Sequence, residues 1–192
     1  MIAIVKYNAG NIQSVKNAIE RLGFSCIVTN DETILKLADK VIFPGVGEAS
    51  SAMKYLKDRK LDVVIKNLTQ PVLGICLGQQ LLCNFSEEGD TKCLGIFDAN
   101  VKEFEAVEKV PHMGWNTISN SKSALFNGIS AEEDFYFVHS YYAEISNETT
   151  AVCDYIVPFS ASMQKNNFYA TQFHPEKSSQ VGEQLLLNFL KL

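Results

Sequence analysis

Pro71-Val72-Leu73-Gly74-Ile75-Cys76-Leu77-Gly78-Gln79-Gln80 is the stretch on which the reading of this chain turns. Pro71 introduces an apolar run, Val72 to Ile75, that reads as a buried strand. A helix begins near Leu77 and carries Leu81 and Leu82. One cysteine sits at the junction, flanked as Gly74-x-Cys76-x-Gly78. A sharp strand-to-helix turn needs small neighbours, because a nucleophile there sits in strained backbone and points out of the sheet. The first N–H groups of the helix are unpaired, so the Leu77 N–H is placed to meet a developing oxyanion. Taken alone, the motif also fits a tight turn around a buried, inert cysteine.

Outward from this turn, strands and helices alternate. Ile2 to Val5 reads as a strand. Asn11 is placed to cap a helix with apolar face Ile12, Val15, Ala18, Ile19 and Leu22, stopped at Gly23. Cys26 to Val28 and Val41 to Phe43 read as further strands, followed by helices over about residues 49–57 and 61–68. Alternation of this kind predicts a mostly parallel sheet with right-handed crossovers, whose ligands bind at the carboxyl ends of the strands. Pro44-Gly45-Val46-Gly47 and Cys76 both fall at such ends. The glycines of that loop let backbone approach a ligand and let a peptide rotate, which suits a second oxyanion donor; a plain turn is the competing reading.

The second half reads as strands: Phe135 to His139, Tyr142 to Ile145, Phe159 to Met163 and Phe168 to Phe173. Turn-rich segments separate them, Asn120-Ser121-Lys122-Ser123 and Gln164-Lys165-Asn166-Asn167 among them. This half is expected to complete the central sheet and add antiparallel strands. A last helix brings Val181, Leu185, Phe189 and Leu192 near one face.

Composition narrows the function classes. The 192 residues are 46% hydrophobic and 20% charged, as expected of one globular domain, 1–192. The net charge of -5, with no basic run, argues against a nucleic-acid partner. Cysteines stand at 26, 76, 83, 93 and 153 with no Cys-x-x-Cys pair, so neither a disulfide framework nor a zinc site is expected. The short apolar start is too brief for a signal peptide and no stretch approaches membrane-spanning length, which makes a cytoplasmic location the expectation.

The candidate base lies far downstream, in His174-Pro175-Glu176. Pro175 biases His174 toward an extended conformation. Residues i and i+2 of an extended segment point to one side, so Glu176 can reach the imidazole and fix its tautomer. His112 and His139 are rival bases. His112 lies in Pro111-His112-Met113-Gly114-Trp115-Asn116, which reads as a loop. His139 ends an apolar strand and suits a satisfied, partly buried ring. Neither has a carboxylate at a comparable spacing.

Gly74-Ile75-Cys76-Leu77-Gly78, Pro44-Gly45-Val46-Gly47 and His174-Pro175-Glu176 resemble the motifs of the class I (triad) glutamine amidotransferases. Pro111 to Asn116, Tyr136 to Tyr141 and Gln172 to Ser178 resemble one branch of that family, the glutaminase subunits of imidazole glycerol phosphate synthases. The likeness runs from the Gly10-Asn11 turn to the last helix. It implies a flavodoxin-like α/β fold with a central, mostly parallel sheet flanked by helices and an added antiparallel sheet. It implies Cys76 as nucleophile, His174 as base, Glu176 as its orienter, and backbone N–H groups at Leu77 and Val46 as oxyanion donors. Gly47, Gln80, Glu88, Ser140 and Tyr141 would frame glutamine, Glu88 pairing with the α-amino group. Glu87 beside it keeps that assignment open by one residue. No cofactor or metal is called for. The implied partner is a HisF-type (β/α)8-barrel cyclase on a separate chain, receiving ammonia through its barrel, with Asn11, Met113, Trp115, Tyr136 and Lys177 facing it. Trp115 fits an interface hot spot and a core aromatic equally well.

Two departures stand out. The first loop of this family usually reads Asp-x-Gly-x-Gly-Asn, whereas here it is Lys6-Tyr7-Asn8-Ala9-Gly10-Asn11, and Gln79 replaces a more usual methionine. Rival functions are an amidotransferase feeding another synthase, such as one amidating a surface sugar, a stand-alone cysteine hydrolase, and a silent binding subunit.

Overall fold

A computed structural model describes residues 1–119 and 121–192. Asn120, in one of the turn-rich segments, lies outside the described residues. In chain order the elements are β1 (Ile2–Val5), α1 (Ile12–Arg21), β2 (Cys26–Thr29), α2 (Glu32–Leu37), β3 (Lys40–Gly45), α3 (Ala49–Asp58), α4 (Leu61–Lys66), β4 (Val72–Cys76) and α5 (Leu77–Leu82). There follow β5 (Phe85–Ser86), β6 (Thr91–Lys92), β7 (Asn100–Glu103), β8 (His112–Thr117), β9 (Asp134–His139), β10 (Tyr141–Ala143), β11 (Thr149–Tyr155), β12 (Val157–Lys165), β13 (Phe168–Thr171) and α6 (Ser179–Leu190).

Among the described residues the strands form a seven-stranded sheet, order β11-β12-β13-β4-β3-β1-β2, a four-stranded sheet β10-β7-β5-β6, and the ribbon β8-β9. β13, β4, β3, β1 and β2 run parallel; β11 and β12 are antiparallel additions. This is the expected α/β architecture. β4 is buried along its whole length, as a central parallel strand covered on both faces must be. One covering layer packs Met53, Leu56, Val64, Ile65 and Leu81 from the helices after β3 and β4. The other packs Val15 and Ile19 of α1, Leu185 and Phe189 of α6, and Phe135 and Phe137 of β9. No helix among the described residues is long and apolar enough to cross a membrane.

Several local expectations are corrected. Asn11 occupies the cap position of α1 but makes no capping bond; its φ of 71° turns the side chain away to another partner. Residues 112–117 are not a loop. They form β8, paired along its length with β9 from His112↔His139 to Thr117↔Asp134. Pro111 and Gly114 supply turn-like punctuation, yet the cross-strand pairs outweigh it. The strand expected over Tyr142 to Ile145 is shorter, Tyr141–Ala143, and the one expected to reach Phe173 stops at Thr171. Leu192 lies beyond α6 and is exposed. Helix α2 and strand β11 were not anticipated.

Candidate active site

The register explains why distant motifs converge. Gly45 pairs with Cys76 across β3 and β4, while Thr171 pairs with Ile75 across β13 and β4. The strand that carries Cys76 is therefore central, with the Pro44–Gly47 loop leaving on one side and the His174 segment on the other. Cys76 has φ 53°, the left-handed region that a non-glycine residue rarely adopts. This is the strained turn expected of the motif. The turn also demands Gly78: a Cβ there would lie 1.9 Å from the Phe43 carbonyl oxygen.

His174 and Glu176 are both fully buried at the side chain, with His174 Nδ1 2.7 Å from Glu176 Oε1. His174 Nε2, the opposite edge of the ring, is buried and lacks a full hydrogen bond. The Cys76 sulfur lies beside that edge and acts on the ring. Burial opposes a charged imidazole, but attraction to the Cys76 sulfur and to Glu176 outweighs it and lifts His174 to about 10. The three groups thus form one coupled array, as the sequence predicts.

A cavity of about 180 Å³ opens at this array. Its lining includes Val46, Gly47, Cys76, Leu77, Gln80, Glu88, Ser140 and Tyr141, which brings together every residue predicted to frame substrate or oxyanion. Glu88, not Glu87, is the carboxylate in that lining. Glu88 is half-buried and accepts from the Ala49 N–H at 2.8 Å; burial raises its carboxyl above the ordinary range. Glu87 instead accepts from the Glu103 N–H.

The rival histidines have a different task. His112 Nδ1 lies 3.0 Å from His139 Nε2, and His139 Nδ1 lies 2.8 Å from the Tyr141 carbonyl. Phe137 and Tyr155 stack on the two faces of His112. His139 is therefore the satisfied, buried ring expected of it, and it lines the cavity. Burial pushes His112 down to about 4 and His139 down to about 3. The unfolded chain takes up those protons near pH 6.5 and the folded chain only well below it. Their contribution to stability is complete above pH 6.5 and is lost as pH falls toward 4. His174 has the opposite sign. Its contribution is complete below pH 6.5 and is lost as pH rises through about 10. We expect the melting temperature to drop between about pH 6 and pH 5, above the titration of ordinary carboxylates. A melting temperature flat across that window would show that the two rings carry charge in the fold.

The departing first loop supports the site. The buried Tyr7 hydroxyl donates to the Pro44 carbonyl at 2.8 Å, and the Gly10 N–H donates to the Val46 carbonyl at 3.2 Å. Asn11 Nδ2 donates to Glu176 Oε1. The Asn11 side chain, expected to face a partner, turns its amide to Glu176. Tyr7 was not anticipated, and Asn11 in this role had no signal beyond its place before a helix.

The remaining predicted partner-facing residues lie on or beside one ribbon. Met113 and Trp115 are 55% and 52% exposed, which rules out Trp115 as a core aromatic. Trp115 pairs with Tyr136 across the strands, ring edge to face at 5.8 Å. Lys177 is exposed nearby, one residue from Glu176. The ribbon's other face carries His112, Phe135, Phe137 and His139, all buried.

A strained cysteine beside a buried histidine–carboxylate pair, at the carboxyl ends of parallel strands, has the make-up of a thiol-based acyl-transfer site. The chain belongs to the Glutamine amidotransferase class-I family, whose model matches residues 3–192. Its relatives include the imidazole glycerol phosphate synthase subunit HisH of Bacteroides fragilis, 61% identical over 100% of this chain and 99% of that protein. The HisH subunit of Vibrio cholerae is 45% identical over 100% of this chain and 98% of its own length. Among solved structures, PurLQS from Thermotoga maritima superposes with TM-score 0.72 at 15% identity, covering 99% of this chain and 97% of that one, a likeness of fold.

Proposed function

We propose that this chain, as one domain spanning 1–192, is the glutaminase subunit of an imidazole glycerol phosphate synthase, acting in histidine biosynthesis. The observation that carries the reading is the buried Cys76–His174–Glu176 array opening on a cavity lined by Gly47, Gln80, Glu88, Ser140 and Tyr141. Full-length identity to HisH subunits supports it over a surface-sugar amidotransferase.

In this reading glutamine enters with its α-ammonium toward Glu88, offsetting the cost of burying that carboxylate. The Cys76 sulfur attacks the carboxamide carbon, and the carbonyl electron pair moves onto oxygen, facing N–H groups at Leu77 and Val46. His174 gives its proton to the departing nitrogen, and ammonia leaves as the thioester forms. His174 then takes a proton from water, which attacks the glutamyl thioester and releases glutamate. Glu176 holds the ring throughout, and Asn11 holds Glu176.

The exposed face of Met113, Trp115 and Tyr136, with Lys177 beside it, is our proposed docking face for a HisF-type (β/α)8-barrel cyclase. The reaction belongs in the cytoplasm. Ammonia would pass into the barrel and reach a ribulose-phosphate substrate. Tyr136 links this face to the base: its carbonyl accepts from the His174 N–H at 2.9 Å, and its N–H donates to Ser178 Oγ. The Gly10 contact on Val46 ties the oxyanion loop to the first loop. Docking at these places biases the loop and the base together, so the free subunit is expected to be slow.

The test is glutamate release from glutamine, alone and with the co-purified cyclase and its ribulose-phosphate ligand. Stimulation on the order of 100-fold is expected. Turnover that ignores the pair would retain the glutaminase and assign it to another synthase.

A further inference from the structure

Gln172 is fully buried and lies two residues before His174. Its backbone N–H donates to the Ala161 carbonyl at 2.8 Å, which anchors it just past the end of β13. The side chain crosses to the nucleophile, with Nε2 3.6 Å from Cys76 Sγ. Gln172 Oε1 lies 3.0 Å from Gln80 Nε2, and that same nitrogen lies 2.8 Å from the Tyr141 carbonyl.

The direction of these bonds follows from what each atom can do. Amide oxygen and nitrogen are assigned by their partners. A backbone carbonyl only accepts, so Gln80 must turn its NH2 to Tyr141. The atom of Gln172 facing that NH2 must then be oxygen. What remains for the sulfur is the Gln172 NH2. Flipping Gln80 would set its oxygen against the Tyr141 carbonyl, two acceptors, and flipping Gln172 would set its NH2 against that of Gln80, two donors. Tyr141 is held from a second side by His139, whose far nitrogen meets His112. The polarity of the contact on the sulfur is thus fixed through Gln80 by the Tyr141 carbonyl.

Besides the His174 ring, the sulfur meets the Val138 carbonyl at 3.9 Å. A carbonyl there suits only a protonated thiol. The amide N–H suits a sulfur that has given its proton away, and it is the closer of the two.

We propose that Gln172 is a catalytic residue, donating an N–H to Cys76 Sγ and aligning the thiolate for attack, and that Gln80 is the positioning residue that orients the amide. The proposal deepens the glutaminase reading and rests on it for the reaction itself. No proton passes through Gln172. The thiol proton resides on His174, the sulfur–carbon bond forms from the sulfur lone pair, and the amide keeps both hydrogens.

Gln172→Leu and Gln80→Leu test it with two readouts. One is kcat and KM for glutamine in the complex with the cyclase. The other is the alkylation rate of Cys76 by iodoacetamide at about pH 7, followed by the mass of the Cys76 peptide in the subunit alone. For Gln172→Leu, kcat is expected to fall about 100-fold, as when one preorganised donor is lost, with KM nearly unchanged. Alkylation slows in both variants, less in Gln80→Leu, which leaves the donor in place but unoriented. Alkylation at the wild-type rate in either soluble variant, or a loss confined to KM, would overturn the proposal. Alkylation requires neither glutamine nor cyclase. A failure of the glutaminase reading would leave that readout standing, so the two failures are separable.

Discussion

Cys76→Ala is expected to abolish glutamine hydrolysis while the assembled complex still makes product from added ammonia. Cys76 lines the cavity and lies beside the His174 ring, and neither histidine of the buried pair can substitute for it. Losing the nucleophile of a coupled triad costs on the order of 10⁶-fold in kcat. The substitution removes one buried atom at a position only 6% exposed, so the fold and the docking face should persist. Ammonia-dependent synthesis then reports assembly, and glutamine-dependent synthesis reports chemistry. Residual glutamine turnover within tenfold of wild type would remove Cys76 from the mechanism.

Gly78→Ala has the second-largest expected effect, and it acts through the backbone. In an unobstructed helix, alanine would gain about 1 kcal/mol over glycine. Here its Cβ would meet the Phe43 carbonyl oxygen at 1.9 Å and the carbonyl carbon at 3.0 Å. Neither atom can rotate away, because β3 is paired with β4 through Gly45 and Cys76. Relief requires moving α5 off the sheet, and the nucleophile with it. The net cost should be about 3 kcal/mol, the upper range for forced overpacking, a large share of a typical domain's 5–15 kcal/mol. Thermal unfolding followed by circular dichroism measures it. An unchanged melting temperature with normal turnover would contradict the close approach of helix and strand.

The nucleophile turn was legible because its demands are local. Small neighbours, an apolar strand before it and a helix after it all lie within ten residues. The convergence of Pro44–Gly47 on Cys76 was legible from alternation, since parallel strands put their carboxyl ends on one edge; His174–Glu176 was joined to them by motif and resemblance, and the parallel pairing of β13 with β4 that brings it there shows only in the fold. The residues that escaped act through side-chain direction. Asn11 looks like an ordinary cap, and nothing in its neighbours reveals that its backbone turns left-handed and aims the amide at Glu176. His112 sits among Pro and Gly, so its strand is visible only through its partner, β9. Gln172 is one glutamine at the end of an apolar run, and its contact with the sulfur exists only because Gln80 and Tyr141, far apart in sequence, meet there. Glu88 was preferred to Glu87 on the resemblance, and it is the carboxylate that the folded loop turns toward the cavity.

Trp115 is the chain's single indole, half exposed and edge-on to one tyrosine at the centre of the ribbon's outer face. Its ultraviolet emission therefore originates from one spot, with no second fluorophore of its kind to subtract. Whatever settles on that face changes the polarity around one ring, so the protein carries its own optical reporter of docking, at native sequence and without a label.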